Sequence, residues 1–154
     1  MLKVRNFRQK TGFCGPASLK MVLEYLGVKR SEKELAELSG ATKEKGTEAR
    51  NLLKAAKSLG FKGFVKDFSK ITDIKKYVVQ KKIPVIVDWF SRDEGHYSAV
   101  VGVDKKNIYL QDPELGKIRK LDTETFKRIW FDFSGKFLKS KNEIIIRRLI
   151  AIHK

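Results

Sequence analysis

The stretch Arg8–Gly27, RQKTGFCGPASLKMVLEYLG, holds the one cysteine of the chain, Cys14. Gly15 and Pro16 follow it. Beyond them Ala17, Leu19, Met21, Val22, Leu23, Tyr25 and Leu26 crowd one broad face at helical spacing. Gly27 supplies the stop. Cys14 therefore opens a helix, where unpaired backbone N–H groups and the positive end of the helix dipole stabilise negative charge. A thiol that reacts as a thiolate suits that place. A free cysteine serves equally well as a small buried hydrophobe, so position alone leaves chemistry and packing level.

Working outward, the first half reads helical. SEKELAELSG, residues 31–40, sets Ser31 three residues before Glu34 as a capping box and ends at Gly40. TEARNLLKAAKSLG predicts a third helix from about Thr47 to Gly60, and TDIKKYVVQKK, residues 72–82, a fourth. The second half changes period. IPVIVDWF, residues 83–90, is β-branched and aromatic and reads as a buried strand. HYSAVVGVD (96–104) follows the polar break SRDEG, and NIYLQDP (107–113) follows the turn DKKN. GKIRKLD (116–122) predicts a further short strand, DTETFKRIW (122–130) a short helix capped by Asp122, and NEIIIRRLIAI (142–152) a closing strand. Helices first and an antiparallel meander after predict an α+β fold, with N-terminal helices packed on a C-terminal antiparallel β-sheet. No repeat, low-complexity tract or linker divides the chain, so residues 1–154 are expected to form a single domain.

Composition narrows the function classes. The chain is 42% hydrophobic and 10% aromatic, a globular balance. A chain of this length buries roughly two-thirds of its unfolded surface, so it needs no metal or disulfide staple. MLKVRNFRQK lacks the apolar core of a signal peptide. No apolar run approaches the roughly 20 residues of a membrane helix. The expectation is a cytoplasmic protein without a membrane span. Against 18 Asp and Glu stand 34 Lys and Arg, a formal charge of +16. That balance favours anionic partners, although the lysines are scattered in the manner of a solvated surface. No aromatic RNA-binding strand, zinc spacing or GxxG loop accompanies the charge, so no specific nucleic acid is expected. One cysteine and two distant histidines do not make a metal site, and no glycine-rich phosphate loop implies a cofactor.

Three further residues bear on Cys14. His96 opens its strand directly after Gly95, at a strand end beside a loop, whereas His153 lies in the C-terminal tail and is expected to be solvated. Asp112 ends the next strand before Pro113. Centring the hairpin on Lys105–Lys106 puts Val103 opposite Ile108 and His96 opposite Glu114 or Leu115, with Asp112 within about two residues of the histidine. A carboxylate there holds an imidazole tautomer and stabilises the imidazolium. Asp-Pro is also a common turn. Gln9, five residues before Cys14, offers an amide that could complement the Cys14 N–H at a developing oxyanion.

QKTGFCGPASLKMVLEYLG, GHYSAVVGVD and IYLQDPELG, in that order and spacing, resemble the bacteriocin-processing, or double-glycine leader, peptidases, which are cysteine peptidases of papain-like fold. The resemblance runs from about Gln9 to Trp130. It implies Cys14 as nucleophile, His96 as general base and acid, Asp112 as its orienter and Gln9 as the oxyanion amide. It also implies that Gly15, Pro16 and Ala17 shape the tight lead-in to the catalytic helix, and that the substrate is a peptide or protein, such as a glycine-rich leader. Many members carry an aspartate before the cysteine, where this chain has Phe13. The transporter-fused members continue into membrane helices and an ATPase that these residues do not contain. Two other readings stand beside it: a basic binding module without enzymatic activity, and an acyl transferase on the same scaffold. Trp89, Phe90 and Tyr97 flank His96 as candidate cleft or core aromatics, and Asp93 and Glu94 are loop acids.

Overall fold

The computed structural model describes all residues from Met1 to Lys154. The N-terminal half builds α1 (Cys14–Tyr25), α2 (Glu32–Ser39) and α3 (Ala49–Ser58). The Ser31 side chain accepts the Glu34 N–H at 3.0 Å, one half of the expected capping box. The other half is absent because the Glu34 carboxylate is held by Arg30 at 2.9 Å. The helices are followed by β1 (Lys62–Lys66), then α4 (Ile71–Lys75), which widens into a π turn over Lys76–Gln80 where a continuous helix was predicted. Next come β2 (Val85–Ser91), β3 (Glu94–Val103), β4 (Asn107–Asp112), β5 (Lys117–Asp122) and α5 (Thr123–Ile129). The chain closes with β6 (Phe131–Asp132), a 3₁₀ turn at Lys141–Glu143, β7 (Ile145–Ile146) and β8 (Arg148–His153).

The main sheet runs β1-β8-β2-β3-β4-β5, with every pairing antiparallel. Strands β2 to β5 form the expected meander. The predicted closing strand differs, because Arg147 takes φ 47° and splits it into β7 and β8. β8 then returns to lie between β1 and β2, and His153 becomes the half-buried last residue of an inner strand, paired with Lys62.

Side chains alternate across this sheet as a period of two requires. Ile86, Tyr97, Ala99, Ile150 and Ile152 face a core shared with Leu19, Leu23 and Leu52 of the first three helices. Val87, Trp89, Val100, Leu110 and Leu149 face a second core with Phe126 and Trp130 of the α5 region. The sheet is thus covered on both faces, and its antiparallel strands carry apolar residues at both parities. The fold is α+β with the helical layer of α1 to α3 against one sheet face.

Candidate active site

Cys14 is the first residue of α1 and half-buried. The segment before it is strapped to β3 and to the end of β4: Leu2 N–H donates to Val101 O at 2.7 Å and Gln9 N–H to Pro113 O at 2.8 Å. The second bond sets Gln9 beside the end of β4. Gly12 makes the turn into the helix at φ 83°, against the Lys43 backbone, where a Cβ would collide. Sequence and backbone together therefore deliver Gln9 and Cys14 to one wall of a cleft of about 570 Å³, whose opposite wall includes Gly95 and His96.

His96 and Asp112 meet because of one irregularity. Val103 pairs with Ile108 and Gly102 with Tyr109, as the hairpin index predicts; then Val100 pairs with Leu110 and Ala99 with Gln111, which leaves Val101 as a bulge. Without it Asp112 would stand opposite Ala99, on the sheet face of Tyr97. With it, Asp112 shares a face with Ser98 and His96, since a slip of one residue exchanges the faces of a strand. The outcome is a bond of 2.6 Å between His96 Nε2 and Asp112 Oδ1, both groups buried. Nδ1 is the ring nitrogen that Asp112 does not engage.

The same face adds partners that the sequence did not reveal. Arg119 pairs in register with Leu110, two residues from Asp112, and donates to Asp112 Oδ2 at 2.9 Å. Its guanidinium lies 5.4 Å from the ring centroid of Trp89, a cation–π distance. Trp89 meets the His96 ring edge-on at 5.7 Å, and its indole N–H donates to Ser98 Oγ at 3.1 Å. The backbone N–H of Glu114 donates to Asp112 Oδ1 at 3.0 Å. Spacing in the sequence carried no trace of Arg119, because its approach depends on the register of β4 against β5.

These contacts set the charges. Burial works against the Asp112 carboxylate, yet the hydrogen bond and charge of His96, the Glu114 N–H and Arg119 together hold it below the usual carboxylate range. Burial likewise works against the His96 cation, but Asp112 and hydrogen bonding and charge from Cys14 push it up to about 10. A buried imidazolium beside a carboxylate and a cysteine is the electrostatic result. His96, Asp112 and Glu114 also bring three ligand atoms within 4.8 Å of one another. A metal ion there would compete with the proton of the bond between His96 and Asp112.

Gln9 borders the same cleft, but its amide nitrogen donates to Lys10 O at 3.3 Å and its buried Oε1 finds no donor. Trp89 and Tyr97 are buried, Phe90 stacks on Phe131 at 5.1 Å, and Glu94 borders the cleft, whereas Asp93 stays exposed in the turn. Gly15, Pro16 and Ala17 are buried in the first turn of α1.

A helix-borne cysteine set across a cleft from a sheet-borne histidine is the layout of the papain-like cysteine peptidases. The particular family is the Peptidase C39 family: its model matches residues 5–140, and the chain belongs to it. An uncharacterised protein of Methanothermobacter marburgensis is 39% identical over 139 residues, 88% of this chain and 87% of that one. The transport/processing ATP-binding protein ComA of Streptococcus pneumoniae is 35% identical over 124 residues, 76% of this chain but 16% of ComA, so the match spans about a sixth of that transporter. The peptidase domain of Streptococcus ComA superposes with a TM-score of 0.75 at 24% identity, covering 97% of this chain and 98% of that domain. A double glycine motif protease from an AMS/PCAT transporter, solved with the leader peptide, gives 0.71 at 24%, covering 98% and 91%. This chain is accordingly a cysteine peptidase of papain-like α+β fold. No helix in it is long and apolar enough to cross a membrane.

Proposed function

We propose that the chain hydrolyses a peptide bond through Cys14, His96 and Asp112, with a thioester intermediate, and that its substrates include leader peptides with small residues before the cleaved bond. The observation that carries this reading is the 2.6 Å bond from His96 Nε2 to Asp112, which leaves Nδ1 for the cysteine of the same cleft. Asp112 fixes the ring and favours the imidazolium. The thiolate of Cys14 attacks the substrate carbonyl, forming a C–S bond as the carbonyl π electrons move onto oxygen. The Cys14 N–H receives that oxyanion, together with the Gln9 amide once it turns from the Lys10 carbonyl. The oxyanion collapses, the C–N bond breaks and His96 Nδ1 gives its proton to the leaving amine. Water then attacks the thioester, losing a proton to His96 and returning the thiolate. The leader-peptide substrate rests on the family and on the neighbour solved with its leader.

The test is mass spectrometry of a peptide library that includes glycine-rich leaders, incubated with wild type and Cys14→Ser. Cleavage by wild type alone is the expected result; equal digestion by both proteins refutes the assignment. Iodoacetamide should alkylate Cys14, and more slowly in His96→Ala.

A further inference from the structure

The cleft has a second arm, of about 580 Å³, which meets the first at Cys14. His96 borders the Gln9 arm and not this one. Because His96 has to reach the leaving amine, the amine half of the substrate occupies its arm, and the acyl half falls to the other. That other arm is lined by three acids with no part in the chemistry above: Glu48, which pairs with Arg50, and Asp88 and Asp132, which pair with no cation.

Asp88 projects from β2, in register with Tyr97 on one side and Arg148 on the other. It is 2% exposed, borders the cavity, and its Oδ1 has no hydrogen-bond donor. Asp132, on β6, brings its carboxylate onto the backbone of Gly95, where any Cβ would collide with both oxygens. Its Oδ1 accepts only the neighbouring Phe133 N–H, at 2.7 Å. Burial, then a hydrogen bond and charge from Asp132, raise Asp88 well above the usual carboxylate range, with Arg148 opposing. Neither carboxyl group has a cation within ion-pair distance.

The cations of this wall are engaged elsewhere. Arg148 gives Nε and an Nη to Asp67 at 2.6 and 2.9 Å, although its charge still reaches Asp88. Arg50 gives Nε to Glu48 at 2.8 Å and is largely solvent-exposed. Lys45 is the remaining cation, and it too is exposed. The Thr47 hydroxyl, also on this wall, is buried without a partner. The arm therefore presents an orphaned acceptor at Asp88 and two carboxyl groups that no lysine or arginine contacts, in a volume far larger than two glycines fill.

We propose that this arm is a specificity subsite for a lysine or arginine side chain in the acyl half of the substrate, with Asp132 receiving the cation and Asp88 behind it. The inference rests on the peptidase reading. It adds a preference for a cationic side chain at one position before the cleaved bond, made by a charge-assisted hydrogen bond to the half-buried Asp132 carboxylate.

Tripeptidyl chloromethyl ketones test it on the full chain. Lys, Arg, norleucine or Glu is placed in turn at each of the three positions before the ketone, with alanine elsewhere. At one position Lys and Arg should inactivate wild type about tenfold faster than norleucine, with Glu slowest. In Asp132→Asn and Asp88→Asn the ratio of Lys to norleucine should fall toward one. A ratio near one at every position in wild type overturns the subsite, and that comparison needs no variant. So does a ratio kept in both Asn variants. Failure of all the ketones, while iodoacetamide still alkylates Cys14, overturns the peptidase reading itself and the subsite with it.

Discussion

Removing the Cys14 side chain takes from His96 a hydrogen bond and a neighbouring charge that favour its cation. In Cys14→Ala the imidazole pKa should therefore fall from about 10 toward its usual value of 6.5, as read by NMR titration of the ring. An unchanged titration would show that the cysteine does not act on the ring. Arg119 poses a separate question, since it touches Asp112 and not the reacting atoms. Arg119→Met should lower kcat/KM by about 10- to 100-fold, the worth of one charge-assisted hydrogen bond. Loss of that cation also lets the Asp112 pKa rise, so the acid limb of the pH–rate profile should move upward, with partial return in Arg119→Lys. A merely structural role would leave the limb in place. Gln9, Cys14, His96 and Asp112 stand out in the sequence as candidates because their residue types suit one chemistry. Arg119, Asp88 and Asp132 are charged residues of ordinary kind in a highly charged chain, and only their neighbours make them notable.

At the scale of elements, the helices were legible where the local code was complete. Ser31 caps α2, and Asp122 caps α5 by accepting the Glu124 and Thr125 N–H groups at 2.9 and 3.2 Å. β1 was missed because Lys62–Lys66 is half-exposed, contains Gly63, and is held as a strand only by β8, which arrives from the end of the chain. The Val101 bulge was missed because a hairpin indexed from its turn assumes an unbroken register, and nothing in HYSAVVGVD marks the extra residue. Yet that bulge decides whether Asp112 shares a face with His96. The Gly12 turn is the element that aims Gln9 and Cys14. Gly12→Ala would combine an unfavourable positive φ with a backbone clash at Lys43. It should cost about 1–3 kcal/mol, measured as a lower denaturation midpoint with unchanged m-value. A neutral substitution would mean that the loop moves aside without cost.

For the whole molecule, the buried charges couple stability to pH. His96 has a folded pKa of about 10 against an ordinary 6.5, so its contribution is complete below pH 6.5 and is lost as pH rises toward 10. Asp112, lowered from 3.8, contributes above that value and loses its contribution as pH falls through the depressed folded pKa. Asp88, raised well above 3.8, is favoured in its neutral form, and that gain also fades as pH rises. The thermal midpoint should be higher near pH 6 than near pH 9.5, and the difference should shrink in His96→Gln. A flat profile in wild type would contradict a buried imidazolium.

The sequence by itself determined the helices, the meander from β2 to β5, and the residue types able to act on a peptide bond. Those are local matters, since period, caps and turn residues are read within a few positions of one another. Only the tertiary structure decided that β8 enters the sheet between β1 and β2, that Val101 bulges, and that two carboxyl groups meet beneath Gly95. Each of these joins segments distant in the chain, and the energy that selects such a contact is created by burial and is absent until the chain has closed around it.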